Sequence, residues 1–259
     1  MTHQARKRFG QNFLTDQSVL DRIERCLNPK DDQRFVEIGP GLGALTNLLI
    51  HSVKHLTAIE IDKDLINQLQ HQFNFSHFNL IDADALKLDF SQFNLPFRLV
   101  GNLPYNISTP LLFHILSFNV PIIDMHFMLQ KEVIDRMTAS PNQKIYGRLS
   151  VMTQYFCQAT HLFNVAGSSF TPPPKVTSAF VKLVPYQDNS PYEKVDSNLF
   201  KEVVRTCFTL RRKTLNNCLK QWLTSDDYIE LNIDPKNRPE NLSVKEFVSI
   251  TRYIENKGL

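Results

Sequence analysis

Glu37-Ile38-Gly39-Pro40-Gly41-Leu42-Gly43 is the stretch whose reading decides the fold. It closes a short apolar run at residues 34–38 that predicts a strand. It opens a segment in which Leu45, Leu48 and Leu49 share one helical face. Glycines between a strand and a helix let the backbone turn sharply and approach a ligand closely. Downstream, the pattern predicts strands at residues 56–60, 78–81 and 97–101. A helix carrying Leu65, Leu69 and Phe73 follows the first, and one carrying Leu111, Leu112, Ile115 and Leu116 follows the last, entered at Pro110. Upstream, Val19, Leu20, Ile23 and Leu27 predict a helix over residues 17–27 with Asp16 as its N-cap. Strands alternating with helices mean an α/β fold whose parallel sheet is covered on both faces.

Beyond residue 120 the pattern changes. Residues 125–129 and 177–184 alternate by twos, with a helix expected at residues 147–158 between them. An antiparallel edge strand added to a parallel sheet would account for this. Residues 185–191 are polar and flanked by prolines, which reads as a linker. After it come two apolar helical stripes, Leu199–Val203–Val204–Cys207–Phe208 with Phe200, and Leu215–Cys218–Leu219–Trp222–Leu223. A capping box at Ser243 and Glu246 opens a last helix. The expected division is a catalytic, cofactor-binding domain over residues 1–187 and a small all-α, RNA-binding domain over 188–259.

The chain has 259 residues, 42% of them hydrophobic, and a net charge of +3. That suffices for a large and a small domain, and no apolar run is long enough to span a bilayer. The N-terminal Arg6-Lys7-Arg8 has no acidic neighbour and is suited to neutralising phosphates. Cys26, Cys157, Cys207 and Cys218 form no C-x-x-C pair, and the eight histidines lack ligand spacing. Free thiols in a reducing cytoplasm are expected, and no metal site is read.

The glycine turn admits two cofactors. Gly39-x-Gly41-x-x-Ala44 satisfies the loose dinucleotide fingerprint, with Glu60 as its acid. Gly43 and Glu37 tilt the reading towards S-adenosylmethionine, with Glu37 either pairing with a cationic amino group or fixing the turn. In both readings Glu60 accepts ribose hydroxyls. Asp84, after the third strand of this series, is placed to hold an adenine amine.

Asn102-Leu103-Pro104-Tyr105 ends the fourth of these strands, beside the switch point where ligands bind in such sheets. The exocyclic amine of adenine is a poor nucleophile, because its lone pair is delocalised into the ring. Two carbonyl oxygens accepting its hydrogens draw that pair out towards a methyl group. The Asn102 side chain and the Leu103 backbone are the two acceptors expected. Pro104 stiffens the turn, and Tyr105 offers a ring on which a base stacks. Phe170-Thr171-Pro172-Pro173-Pro174-Lys175 is expected to present Phe170 to the other face of the base, with Lys175 meeting a phosphate.

With these motifs in order, the sequence resembles the KsgA-type small-subunit ribosomal RNA adenine dimethyltransferases. Arg8-Phe9-Gly10-Gln11-Asn12-Phe13-Leu14, the glycine turn, residues 101–110, Met128-Leu129-Gln130-Lys131-Glu132, Tyr146-Gly147-Arg148-Leu149-Ser150-Val151, residues 170–176 and Arg211-Arg212-Lys213-Thr214-Leu215 carry the resemblance. It implies a Rossmann-like S-adenosylmethionine methyltransferase sheet. It places Asn12, Leu14, Gly39, Glu60, Asp84 and Asn102 at the cofactor, with no departure from the family pattern there. The implied substrate is a pair of adjacent adenosines in a hairpin loop near the 3′ end of 16S ribosomal RNA, each receiving two methyl groups. The expected partner is the small (30S) subunit, met by a cytoplasmic monomer with no membrane contact and a part in subunit biogenesis. Lys131, Arg136, Lys144, Arg148, Arg205, Arg211, Arg212 and Lys213 are expected to grip phosphates. Two other readings of the resemblance are a large-subunit methyltransferase of the macrolide-resistance type and an assembly factor whose main task is binding.

Overall fold

The computed structural model describes residues 11–258. The basic arm at Arg6-Lys7-Arg8 lies outside them. The elements, in order, are β1 (Phe13–Leu14), α1 (Gln17–Leu27), β2 (Arg34–Ile38), α2 (Ala44–Ile50), β3 (His55–Glu60), α3 (Lys63–Gln72), β4 (Phe78–Asp82), β5 (Phe97–Asn102), α4 (Ser108–Ile115), β6 (Ile122–Gln130), α5 (Lys131–Met137), α6 (Arg148–Phe156), β7 (Cys157–Val165), β8 (Phe170–Thr171), β9 (Ser178–Pro185), α7 (Ser197–Thr209), α8 (Leu215–Cys218), α9 (Ser225–Glu230) and α10 (Val244–Asn256).

Seven strands form one sheet in the order β4-β3-β2-β5-β6-β9-β7. β4, β3, β2, β5 and β6 run parallel, and β9 runs antiparallel to β6. The order reverses between β2 and β5, so the carboxyl ends of these two strands flank the switch point. Gly101 is required for their approach, since a Cβ there would meet the Ile38 carbonyl oxygen at 2.6 Å. β2 and β5 are buried on both faces, as a sheet covered by helices demands. Leu27, Phe35, Leu45, Leu49, Val100 and Phe180 belong to one buried cluster.

The antiparallel strand is not the edge. β9 is paired on both sides, and the edge is β7, inside a stretch whose first residues were expected to finish a helix. α6 stops at Phe156 and the chain extends from Cys157. The signal was weak because His161-Leu162-Phe163 breaks the alternation that marks a strand.

The chain forms two compact units, Met1–Ile134 with Thr160–Pro185, and Asp135–Ala159 with Tyr186–Leu259. The division expected lies between residues 187 and 188, whereas the compact units change at Pro185 and Tyr186 and the second also includes Asp135–Ala159. α6 belongs to the helical unit because Tyr155 stacks on Phe200 of α7, with ring centroids 4.1 Å apart. The Tyr146 hydroxyl, just before α6, donates to the Leu242 carbonyl oxygen at 2.9 Å. A segment that begins within α5 and ends within β7 is assigned by its packing, which no local pattern displays. The caps follow expectation. Asp16 accepts from the Ser18 and Val19 N–H groups, and Ser243 and Glu246 form the reciprocal box of α10.

Candidate active site

The carboxyl ends of β2, β3 and β5, the loop after β4 and residues 11–14 enclose a cavity of about 240 Å³. Gly39, Glu60, Asp84, Asn102, Leu103, Pro104, Tyr105, Asn12 and Leu14 all line it. Nine of the ten expected site residues, scattered over more than ninety positions, therefore meet at one place.

Gly39 has φ +67°, and a Cβ built on it meets no atom within 4 Å. A side chain there would be strained and would project into open space, the condition for close backbone approach of a ligand. Glu60 is buried, and backbone donors hold its carboxylate. Oε1 accepts from the Ile61 and Asp62 N–H groups at 2.9 and 3.0 Å, and Oε2 from Gly41 at 3.3 Å. Burial outweighs these bonds and raises its carboxyl above the usual range. A carboxylate has about four lone-pair positions, so acceptor capacity remains for a hydroxyl in the cavity. Glu37 is fully buried, bonded to the Thr46 hydroxyl at 2.6 Å, and burial raises its carboxyl to about 7. Asp84 accepts from the Leu86 N–H at 3.0 Å and has Lys87 at 3.9 Å.

Charge separates the two cofactor readings. Among the described residues the lining holds Glu37, Glu60 and Asp84 and no lysine, arginine or histidine. A dinucleotide would set its pyrophosphate among carboxylates with no cation to balance it. A cationic nucleoside finds partners for both its charge and its hydroxyls.

The turn after β5 is legible through its hydrogen bonds. The Leu103 N–H donates to the Met128 carbonyl oxygen at 3.2 Å and anchors the turn to β6. The Pro104 carbonyl accepts from Ile107 at 3.2 Å, and that of Tyr105 from the Ser108 hydroxyl at 3.2 Å. The Asn102 Nδ2 donates to the Asn12 backbone carbonyl at 2.8 Å. A carbonyl only accepts, so the amide nitrogen must face Asn12 and Oδ1 must face away. That oxygen and the Leu103 carbonyl accept from no donor among the described residues. Two acceptors are thus held at the cavity wall without a partner among the described residues.

Two contacts escaped the sequence reading. Asn12 acts on Asn102 through its main chain, across 90 positions. The Tyr105 hydroxyl is 2.7 Å from Ser178 Oγ, across 73. Neither leaves a local signature. One expectation fails. Phe170 is 2% exposed, belongs to the core cluster and does not line the cavity. β8 pairs with β1, Phe170 opposite Leu14, and strand alternation turns Phe170 inward and Thr171 outward. A ring packed on both faces has none to offer a base.

A mostly parallel sheet with an acid-lined cavity at its switch point, and bare carbonyl oxygens where a nucleophile would sit, defines a methyltransferase of the Rossmann-like class. The crystal structure of a dimethyladenosine transferase from Plasmodium falciparum has the same fold, with a TM-score of 0.84 over 95% of this chain and 98% of that one, at 28% identity. A family model described as "Ribosomal RNA adenine dimethylase" matches residues 2–256, and the chain belongs to that family. The Ribosomal RNA small subunit methyltransferase A of Hahella chejuensis is 56% identical, over 99% of this chain and 95% of its own. The 23S rRNA methyltransferase ErmE shares the fold, with a TM-score of 0.74 over 94% of this chain and 100% of that one, at 22% identity.

Proposed function

We propose that this enzyme transfers methyl groups from S-adenosylmethionine to the exocyclic amines of two adjacent adenosines, in a hairpin loop near the 3′ end of small-subunit ribosomal RNA, and makes both dimethyladenosines. The observation that carries the reading is the pair of unclaimed oxygens, Asn102 Oδ1 and the Leu103 carbonyl. They match the two hydrogens of an adenine amine. Identity to small-subunit methyltransferases over nearly the whole chain favours the small over the large subunit.

The cofactor, when bound, supplies a sulfonium methyl group. Gly39 would lie against its amino-acid part, Glu60 would accept the ribose hydroxyls, and Asp84 would hold the adenine amine. Asn12 and Leu14 close the cavity from the N-terminal side. The protein's work at the reacting centre is positioning and electrostatics. Asn102 and Leu103 accept the two amine hydrogens and turn the nitrogen lone pair out of conjugation. Pro104 removes a competing backbone donor. Tyr105 stacks under the base, a contact worth about 1–3 kcal/mol. Phe170 supports Leu14 from the core rather than touching the base. A hairpin loop suits this pocket, since an unpaired base can enter where a paired one cannot.

In the helical unit, Arg211 is engaged by Glu240 at 2.6 Å and by the Lys144 carbonyl. Arg212 and Lys213 are exposed beside it with no ion pair among the described residues. The phosphate grip is therefore assigned to these two rather than to Arg211. The protein acts as a cytoplasmic monomer and supports subunit maturation as it modifies it. Its four free thiols fit a reducing compartment, and no helix of the described residues is long and apolar enough to cross a membrane.

The test is transfer of labelled methyl from S-adenosylmethionine to unmethylated small and large subunits. Label confined to dimethyladenosine in small-subunit RNA is expected. Label in the large subunit would move the assignment to the macrolide-resistance type, and no label in either would defeat it.

A further inference from the structure

Tyr105 and Ser178 are joined in a way that the reaction so far described does not use. The Tyr105 ring lines the cavity, whereas Ser178, whose Oγ is 2.7 Å from the ring hydroxyl, does not line it. Ser178 is wholly buried at the start of β9, followed by Ala179 and Phe180, where an apolar residue would pack as well. Among the described residues its hydroxyl has no hydrogen-bond partner other than Tyr105, and Tyr105 Oη none other than Ser178. A buried hydroxyl is satisfied or costly, so each fixes the other. The anchor is firm. Ser178 sits opposite Gln130 in the β6–β9 ladder, and the preceding Thr177 carbonyl accepts the Lys131 N–H at 2.9 Å. The backbone end of Tyr105 is tied separately, through its carbonyl to Ser108. The ring is thereby held at both ends across the cavity wall.

We propose that Ser178 is a positioning residue for the second methyl transfer, acting through Tyr105. The inference rests on the dimethyltransferase reading above. Each transfer forms a nitrogen–carbon bond and breaks the methyl–sulfur bond, the electron pair leaving on sulfur and the displaced proton passing to water. Before the first transfer the amine has two hydrogens for two acceptors, so hydrogen bonds and stacking locate the base together. Before the second it has one hydrogen, and one acceptor loses its partner. The stacking ring then carries a larger share of the aim, and freedom in that ring costs more. The Ser178–Tyr105 bond removes that freedom.

The experiment compares the wild-type chain with Ser178→Ala, Tyr105→Phe and the double variant on unmethylated small subunits, separating monomethyl- from dimethyladenosine over time. Ser178→Ala is expected to slow the second transfer about tenfold and the first only about twofold, so that monomethyladenosine accumulates. Tyr105→Phe, which keeps the ring, is expected to reproduce that ratio, and the double variant to be no worse than either single one. Affinity for S-adenosylmethionine, measured by calorimetry, is expected to stay within about twofold, since neither hydroxyl faces the cofactor. A folded, active Ser178→Ala chain with the wild-type product ratio would overturn the proposal, as would effects that multiply in the double variant. If Ser178→Ala does not fold, Tyr105→Phe alone decides by the same ratio. A wild-type chain that transfers no methyl at all speaks against the methyltransferase reading, not against Ser178.

Discussion

The two ends of the sheet treat buried charge in opposite ways. Towards the amino ends of β5 and β6, Arg98 and Asp124 form a two-pronged pair at 2.7 and 3.0 Å. The remaining Arg98 donors reach the Leu27 carbonyl at 2.7 Å and Gln33 at 3.0 Å, and its guanidinium lies over Phe35. Burial pushes the Asp124 carboxyl up. His126, 3.5 Å away at Nδ1, and Arg98 pull it down further, to about 2. At the carboxyl ends, Glu37 meets the hydroxyl and backbone of Thr46 and Glu60 three backbone N–H groups, and neither meets a cation. Both carboxyls are raised. At the first end the buried charges are paired within the fold. The second holds two glutamates without cations and, among the described residues, carbonyl oxygens without donors, all opening on one cavity. The difference marks where the molecule awaits a partner.

Breaking the paired end should affect stability far more than chemistry. Arg98→Met leaves Asp124 buried with His126 and Lys182, 3.5 and 3.8 Å away, in place of its two-pronged partner. Removing one partner of a buried pair costs about 3–5 kcal/mol, so a large fall in denaturation midpoint is expected with methyl transfer retained in the folded fraction. Urea unfolding and activity on the same samples check this. A loss of activity without a loss of stability would dissolve the contrast.

Breaking the open end should do the reverse. Asn102→Ala removes one of the two acceptors, and loss of a single positioned group of this kind lowers turnover on the order of 100- to 1000-fold. Affinity for S-adenosylmethionine should fall far less than turnover. Single-turnover rates alongside equilibrium binding separate the two effects. Turnover that survives would end the lone-pair mechanism.

The smallest effect sharpens the contrast through pH. The Glu37 carboxyl is at about 7 in the folded chain against an ordinary 4.5. Between those values the folded chain keeps a proton that the unfolded chain has lost. This group therefore makes stability fall as pH rises from about 4.5 through 7, by up to about 3 kcal/mol. Asp124 acts oppositely, its contribution being present above its ordinary 3.8 and lost as pH falls through about 2. Glu37→Gln is expected to be more stable than wild type at pH 8 and close to it at pH 4.5, read as melting temperatures at the two pH values. Equal melting at both would mean that Glu37 is ionised without penalty.

Much of this molecule could be read in one dimension. The turn from Glu37 to Gly43, the acid at Glu60 and the turn from Asn102 to Tyr105 were legible because each is a local device. Glycines, a strand-end carboxylate and a proline have meanings set by their nearest neighbours in the chain. The helix caps at Asp16 and Ser243 were readable for the same reason. Phe170 was misplaced because a motif reports that an aromatic ring is present, whereas register against β1 decides which way it points. β7 was missed, and α6 assigned to the wrong unit, because pairing and packing partners far along the chain settled both.

The sequence by itself determined the class of fold and the chemical groups brought to the site, since residue type and short spacing specify turns, strand ends and the atoms they carry. Only the tertiary structure decided which of those groups are already satisfied. The Asn12 carbonyl turned the Asn102 amide, Ser178 took the Tyr105 hydroxyl, and the core took Phe170. Hydrogen bonding and burial are relations between distant segments, and a chain that has not folded has neither.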